Sequence, residues 1–280
     1  MADDHTSKEA FAEFTSQEVD LAAALGHAFN SDELSVVYQP LVEAGKGETV
    51  GVEALLRWDR PGHDTVLPGE FIPRAERAGL MVGSGRWALR TACEQLASWA
   101  DEGVGRDLIL HVNLSAAELG DPDLLDTVSA TLAETGISPD RLCLEIKSSI
   151  IEAGGERAEI AVHGLEGLGV RLCLHDFGTA PSFDAITRYR FDYAKVTRDL
   201  TGDLDSPMHR ARLVRGLLGM ARALGTTLIA EGIERGDELD RIAALGVVKV
   251  QGYATGRPAS GADLGRALTA VRSWDFASVG

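Results

Sequence analysis

Polar and charged residues interrupt the apolar runs of this sequence at regular intervals, and carboxylates are the commonest among them. The residues are Glu53, Arg57, Asn113, Glu145, His175, Asp176, Lys195, Glu231, Glu234 and Gln251. Each lies within or at the end of a short aliphatic run, which is the pattern of a strand. Hard divalent cations such as Mg²⁺ and Mn²⁺ prefer carboxylate and amide oxygens. If the strand ends meet at one rim, these residues therefore predict a cation site there.

The same residues also allow a purely structural interpretation. Arg57 and Lys195 could pair with the carboxylates in a satisfied salt-bridge network. A single buried carboxylate would fit this interpretation, because an isolated buried charge is costly and normally has a partner. Several carboxylates around one rim favour a cation site instead.

Eight short strand-like runs carry these side chains. They are Ser35–Val42, Thr49–Trp58, Asp107–Ser115, Leu142–Lys147, Val170–Gly178, Phe191–Thr197, Thr226–Glu234 and Val247–Gly256. Only Glu-Ala-Gly-Lys-Gly-Glu separates the first two runs, and so short a link predicts an antiparallel hairpin. Every later gap holds a helical pattern, such as Ser206–Leu224 or Asp237–Leu245, and several of these patterns end in a glycine, such as Gly136 or Gly169.

This alternation of strands and helices predicts an α/β fold, a TIM-like (β/α)8 barrel with an antiparallel first strand. Functional groups in such barrels come from the C-terminal ends of the strands, where the polar residues lie. An open, doubly wound sheet is the alternative. No linker rich in Pro, Gly or Ser divides the chain. We therefore expect a flexible leader over residues 1–17 and one barrel domain over residues 18–280, beginning with a helix at Val19–Phe29.

The composition argues against several classes of protein. The net charge of −16 over 280 residues disfavours nucleic-acid polymers, whose binding depends on neutralising phosphates. No stretch approaches the roughly 20 apolar residues that span a bilayer, and the N-terminus lacks the apolar core of a signal peptide. The three cysteines form no Cys-x-x-Cys pair. We expect a cytoplasmic protein without a disulfide framework or a membrane partner.

Several motifs, taken in order, give a more specific indication. They are Tyr38-Gln39-Pro40, Glu53-Ala54-Leu55-Leu56-Arg57-Trp58, Phe71-Ile72-Pro73, Asn113-Leu114-Ser115, Asp176-Phe177-Gly178-Thr179, Ala230-Glu231-Gly232-Ile233-Glu234, Gln251-Gly252-Tyr253 and Gly256-Arg257-Pro258. Their order and separation resemble the EAL-domain family, which is named for the Glu-Ala-Leu tripeptide. The resemblance runs from about Val19 to about Ser273, nearly the whole chain.

Active members of that family are metal-dependent phosphodiesterases that linearise the bacterial second messenger cyclic di-GMP. The resemblance implies a barrel with an antiparallel first strand, in line with the hairpin, and two Mg²⁺ or Mn²⁺ ions that activate a water. Glu53, Asn113 and Glu145 match the ligands of the first metal. Asp176 and Glu231 match groups that serve the second metal.

The resemblance also assigns roles to residues around the metals. Lys195 matches the lysine that helps to hold the attacking water, and Glu234 matches the second Glu of an Ala-Glu-Gly-Val-Glu signature. Leu55 and Arg57 match positions that contact the dinucleotide, and Gln251 matches a polar residue of the site. The expected catalytic set is Lys195, Glu231 and Glu234. The expected ligand-binding set is Leu55, Arg57 and Gln251.

The sequence departs from the family pattern on strands four to six. His175 stands where active members carry an aspartate that touches both metals, and a neutral imidazole offers only one lone pair. Ser148 replaces the second Glu of Glu-Ile-Thr-Glu-Ser, which normally anchors the loop after strand five. That loop, residues 178–184, is remodelled, and Thr197 replaces another aspartate. These changes predict a weakened or absent metal pair.

Three hypotheses follow from these matches and departures. The first is a degenerate EAL domain that binds cyclic di-GMP or a protein and acts as a regulator with little or no hydrolysis. The second is a cyclic di-GMP phosphodiesterase with an altered metal site. The third is a protein-interaction module that no longer binds nucleotide. A regulatory protein partner and a homodimer are also expected from the resemblance.

A second group of residues faces the barrel interior below the rim. His111 lies two positions before Asn113, so both side chains point to the same side of their strand. With Cys143 and Cys173, His111 could form a layer that binds a soft metal, although core filling explains these residues equally well. Their spacing along the chain does not decide between the two interpretations.

Overall fold

The computed structural model describes residues 33–62, 65–201 and 209–270, together with residues 24, 26–28 and 31. Within these ranges eight strands close into a barrel in sequence order. The strands are β1 (Leu34–Glu43), β2 (Thr49–Trp58), β3 (Ile109–Asn113), β4 (Leu142–Lys147), β5 (Arg171–His175), β6 (Tyr193–Val196), β7 (Thr227–Ala230) and β8 (Lys249–Gln251). The predicted barrel is confirmed, and the open doubly wound sheet is excluded.

The first strand runs against both of its neighbours. It pairs antiparallel with β2, with Gln39 opposite Glu53, and antiparallel with β8, with Leu41 opposite Gln251. From β2 to β8 each neighbouring pair is parallel. The antiparallel first strand is therefore confirmed, and it places Glu53, Gln251 and Gln39 on three adjacent strands.

Helices connect the parallel strands and cover the outside of the barrel. They are α1 (Pro68–Arg77), α2 (Met81–Asp101), α3 (Ala116–Leu119), α4 (Leu124–Thr135), α5 (Ser148–Leu168), α6 (Ala180–Arg188), α7 (Arg198–Thr201), α8 (His209–Ala223), α9 (Gly236–Ala244) and α10 (Gly261–Ala270). Gly136 and Gly169 terminate α4 and α5 in the left-handed conformation, with φ of 69° and 79°. The two helical patterns predicted in the second half of the chain correspond to α8 and α9.

The strands are buried on both faces, which explains their nearly continuous apolar runs. On β4, Leu142, Leu144 and Ile146 belong to the large core between strands and helices, whereas Cys143 belongs to a small cluster inside the barrel. The other buried members of that inner cluster are Leu41, Cys173, Tyr193 and Ile229. Below the C-terminal rim, the barrel interior is thus filled mainly by this cluster together with the buried His111, and most of the charged side chains lie at the rim.

Parts of the predicted organisation lie outside the described residues. The leader predicted over residues 1–17 is among these, and of the helix predicted over Val19–Phe29 only residues 24 and 26–28 are described, as helix. Across the described ranges, no helix has both the length and the apolar character needed to cross a bilayer.

Candidate functional site

A buried lysine forms the centre of the rim. The Lys195 ammonium lies 2.7 Å from a Glu53 oxygen, 2.7 Å from a Glu145 oxygen and 3.4 Å from a Glu231 oxygen. Burial alone would lower the pKa of Lys195, but the three carboxylates outweigh burial and raise that pKa well above its usual value. The side chain is therefore a fixed internal cation. The salt-bridge network predicted as the alternative is present around it.

Glu53 ties three strands to this centre. Its Oε1 accepts a hydrogen bond from Asn113 Nδ2 at 2.7 Å, and its Oε2 accepts one from Gln251 Nε2 at 2.6 Å as well as one from Lys195. Gln251 Nε2 also lies 3.3 Å from Gln39 Oε1. Both oxygens of Glu53 are consequently satisfied by groups from β3, β6 and β8.

Glu145 is held differently. Its Oε1 lies 2.7 Å from His111 Nδ1 and 2.7 Å from the Lys195 ammonium. Its Oε2 is buried and has no hydrogen-bond partner within the described structure. Burial would raise the pKa of Glu145, but Lys195 and then His111 oppose burial and lower that pKa to about 2. The carboxylate is ionised and keeps one free oxygen.

His175 is close to Glu231 across the rim. Its Nε2 lies 3.5 Å from a Glu231 oxygen, while its Nδ1 is buried without a partner among the described residues. Burial would lower the pKa of His175, but Glu231 raises it overall, and the same ring together with Lys195 lowers the pKa of Glu231 against burial. The His175 imidazole thus occupies one side of the Glu231 carboxylate.

Asp176 is anchored away from Lys195. Its Oδ1 accepts hydrogen bonds from the Ser148 hydroxyl at 2.8 Å and the Ser148 backbone N–H at 3.3 Å. Its φ of 61° is in the left-handed region, which aspartate tolerates better than most residues. Ser148 begins α5, so this contact joins the end of β5 to the helix that follows β4. Ser148 is recognisable from the sequence as a replacement, whereas its pairing with Asp176 was not predicted.

A cleft of about 330 Å³ opens beside these groups. It is lined by Gln39, Glu53, Leu55, Glu231, Gly232, Glu234, Gln251, Gly252 and Tyr253. Sequence reasoning placed five of these at the site, whereas Gln39 and Tyr253 appeared only within motifs. The guanidinium of Arg257 stacks 4.2 Å from the Tyr253 ring centroid, which stiffens that wall.

Two predicted residues lie at the edge of the arrangement. Arg57 donates a hydrogen bond at 2.9 Å to the Leu56 carbonyl, and it takes no part in the ion-pair network of the described rim residues. Burial lowers the pKa of Arg57. Glu234 lines the cleft but forms an ion pair at 2.7 Å with Arg198, and both side chains are nearly half exposed. The predicted network therefore includes Lys195 but not Arg57.

The unpartnered atoms indicate what the rim can bind. Glu145 Oε2, Gln251 Oε1 and His175 Nδ1 are buried acceptors or ligand atoms without partners in the described part of the chain. Two of the three are oxygens of the kind that hard cations prefer. The Lys195 ammonium therefore leaves two buried rim oxygens, Glu145 Oε2 and Gln251 Oε1, without a partner in the described structure.

The described residues thus form a closed barrel with an antiparallel first strand and a rim rich in carboxylates. The EAL domain family matches residues 22–258. An uncharacterized signaling protein of Caulobacter vibrioides is 37% identical over 240 residues, which are 85% of this chain and 29% of that protein. The chain belongs to the EAL domain family.

Two further comparisons connect the family to chemistry. The bifunctional diguanylate cyclase/cyclic di-GMP phosphodiesterase MucR of Pseudomonas aeruginosa is 33% identical over 243 residues, 86% of this chain and 35% of that protein. The structure of the PaMucR phosphodiesterase in complex with c-di-GMP has a TM-score of 0.82 and 33% identity, covering 88% of this chain and 99% of that chain. The chain spans about a third of the length of these curated relatives.

Proposed function

We propose that this EAL domain acts in bacterial cyclic di-GMP signalling as a nucleotide-binding regulator with little or no hydrolysis. The observation that carries the proposal is the environment of His175, whose Nε2 lies 3.5 Å from Glu231 while a carboxylate is missing from that position. The cleft beside it keeps Glu53, Leu55 and Gln251. A cleft that keeps its ligand-binding residues, beside a metal site in which an imidazole replaces a carboxylate, is the arrangement that we expect of a receptor.

The metal chemistry supports weak or absent hydrolysis. Two ions about 3.5–4 Å apart stabilise the attacking and leaving oxygens of a phosphodiester, and a carboxylate between them supplies a bridge and negative charge. His175 can supply neither, because a neutral imidazole has one lone pair and no charge. Asp176, the neighbouring carboxylate, is held by Ser148. We infer that this rim does not bind a metal pair of the usual kind.

A single hard cation fits the remaining donors. Glu53, Asn113 and Glu145 would hold Mg²⁺ or Mn²⁺, and the unpartnered Glu145 Oε2 is the oxygen that favours such an ion. When bound, the ion would neutralise phosphate charge on the nucleotide. The Lys195 ammonium competes for two of these ligands, so we expect the cation to bind weakly.

The cleft walls support nucleotide binding. Leu55 and Gln251 line the cleft, and we propose that Arg57 turns from the Leu56 carbonyl to a phosphate when ligand is present. The PaMucR domain bound to c-di-GMP, with the same fold and 33% identity, supports this ligand. Lys195, Glu231 and Glu234 are the residues proposed for catalysis, and in a receptor they keep only structural and ligand-positioning roles. A regulatory protein partner and a homodimer remain predictions.

One observation favours a second candidate function, a phosphodiesterase with an altered metal site. Lys195 and Glu231, the residues expected to handle the attacking water, converge with Glu53 and Glu145 within one network. Such a centre would need His175 to ligate a metal through its unpartnered Nδ1. Product analysis distinguishes this candidate from the receptor.

The test combines calorimetry and chromatography on one sample. The chain is titrated with cyclic di-GMP in Mg²⁺ or Mn²⁺, and linear product is followed beside the EAL domain of MucR as the active control. We expect saturable binding with turnover at least about 100-fold below that control, because the metal pair is missing. Gln251→Ala should weaken binding, whereas Ser138→Ala, which precedes β4 at the N-terminal end of the barrel and does not line the cleft, should not. Turnover equal to the control would refute the proposal, and absence of binding at high nucleotide concentration would leave the protein-interaction role.

A further inference from the structure

Below the rim, three adjacent strands bring potential metal ligands together inside the barrel. His111 of β3, Glu145 of β4 and Cys173 of β5 each offer one ligand atom, and these atoms all lie within 4.8 Å of one another. All three side chains are buried, with exposures of at most 1%. The cluster therefore lies within the protein interior and is not a solvated surface group.

Strand register explains the convergence. Glu145 is opposite Cys173 in the β4–β5 ladder, and His111 is opposite Cys143 in the β3–β4 ladder. Residues that are opposite in neighbouring strands and point to the same face lie side by side. Two inward-facing layers of the barrel thus meet at this point, and the thiol of Cys143 adjoins both His111 and Cys173.

The cluster has an unused donor. Glu145 Oε2 is fully buried and has no partner within the described ranges, although its other oxygen contacts His111 and Lys195. The Cys173 thiol makes a long contact of 3.9 Å with the Leu174 carbonyl and adjoins the Cys143 thiol. A buried carboxylate oxygen without a partner is costly, and a cation between these groups would remove that cost.

We propose that His111, Glu145 and Cys173 form a site for a thiophilic divalent cation such as Zn²⁺, with Cys143 as the adjacent fourth donor. Zinc takes Cys, His and carboxylate ligands at about 2.0–2.3 Å in tetrahedral geometry, which places ligand atoms somewhat over 3 Å apart. The His111–Glu145 contact of 2.7 Å must open slightly, and the more distant atoms must close in. The Cys173 thiol and the His111 ring, which is hydrogen-bonded to Glu145, each give up a proton to solvent when the metal binds, because the ligands are a thiolate and a neutral imidazole nitrogen.

This site differs in chemistry from the rim. The rim offers carboxylate and amide oxygens, which suit Mg²⁺ or Mn²⁺, whereas the lower cluster adds thiol and imidazole donors, which select softer ions. Glu145 belongs to both, so a metal in the lower site would withdraw one ligand from the rim. The proposal does not depend on nucleotide binding and can fail or succeed independently of the proposed function.

Metal titration of the full chain tests the site without nucleotide. The metal-free, reduced protein is titrated with Co²⁺, whose bond to a thiolate gives a charge-transfer absorption band in the near ultraviolet. We expect one equivalent to produce this band, an excess of Mg²⁺ to leave it in place, and Zn²⁺ to displace it. Cys173→Ser should reduce the band, the double variant Cys143→Ser/Cys173→Ser should abolish it, and His111→Ala should weaken Co²⁺ binding at least about tenfold. Cys93→Ser, which removes another buried thiol far from the cluster, should change neither.

X-ray absorption on the zinc-loaded wild-type protein decides the matter if the substituted chains fail to fold. Sulfur in the zinc ligand shell is the expected result. A shell containing only oxygen and nitrogen would place the ion at the rim and overturn the proposal. Absence of the Co²⁺–thiolate band in the wild-type protein, or its persistence at full strength in folded Cys143→Ser/Cys173→Ser, would overturn it equally.

Discussion

The two halves of the rim hold their carboxylates in different ways. On the side of β2, β3 and β8, both oxygens of Glu53 are satisfied, by Asn113, Gln251 and Lys195. On the side of β4, β5 and β7, Glu145 Oε2 and His175 Nδ1 are buried without partners in the described structure, and on the first side Gln251 Oε1 is as well. The first half is preorganised, whereas the second carries the departures from the family pattern. Under the proposed function, changes in the second half would weaken metal binding while the cleft residues Leu55 and Gln251 of the first half stay in place.

Lys195 joins the two halves, and its removal is expected to have the largest effect. Lys195→Met would leave Glu53, Glu145 and Glu231 facing one another with no buried cation, which should lower the free energy of unfolding by about 3–5 kcal/mol. Denaturant titration measures the loss. Mg²⁺ should restore part of it, because a divalent ion can replace the ammonium among these oxygens.

The exposed Lys46, which pairs with Glu43 at 2.9 Å, provides the matched control. Lys46→Met should leave stability essentially unchanged, since an exposed ion pair contributes little. If Lys195→Met behaved like this control, the two halves would not be coupled through the ammonium. The different environments of the carboxylates in the two halves would then have to be explained by backbone packing alone.

Acid should destabilise the β4 side through Glu145. Lys195 and His111 overcome the effect of burial and lower the pKa of Glu145 to about 2, whereas its usual value is about 4.3. A carboxylate with a depressed folded-state pKa contributes stability that is fully present above the unfolded pKa. We therefore expect stability to fall as pH decreases from about 4.3 toward 2, and unfolding curves across that range measure the slope.

Glu145→Gln is the control for this acid dependence. The variant should be less stable at neutral pH but should show a shallower slope in the same acid range, because the titrating group is gone. Raised salt should change the wild-type slope little, since buried pairs are weakly screened. An unchanged slope in Glu145→Gln would assign the acid sensitivity to other carboxylates.

The strands were predictable from the sequence because a strand that is buried on both faces has a nearly continuous apolar run. Thr49–Trp58 and Leu142–Lys147 agree with the observed strands at both ends. The pairing of His111 with Glu145 was not predictable in the same way. It depends on the register between β3 and β4, which is set by the closure of the whole barrel and has no local signal.

Two further side-chain contacts could not be predicted from the sequence either. Ser148 and Asp176 are 28 positions apart, and they meet because β4 and β5 are neighbours with parallel ends. Arg57 was predicted at the ligand because of its motif, yet its guanidinium donates to the adjacent Leu56 carbonyl. Sequence motifs therefore located the rim, whereas side-chain partners at its edge depended on tertiary geometry.

Restoring the missing aspartate should have the smallest effect on activity. His175→Asp returns a carboxylate to the β5 end and should strengthen Mn²⁺ binding, but hydrolysis of cyclic di-GMP should rise only marginally. Ser148 would still hold Asp176 at 2.8 Å, and the loop over residues 178–184 would keep its altered sequence. The double variant His175→Asp/Ser148→Glu should gain more than the single one, because a glutamate side chain removes the hydroxyl bond to Asp176 and leaves only the longer backbone contact of 3.3 Å. Chromatography of the linear product, beside calorimetry with Mn²⁺, measures both effects. Strong recovery in His175→Asp alone would show that the defect lies in one side chain and that the β4–β5 connection is intact.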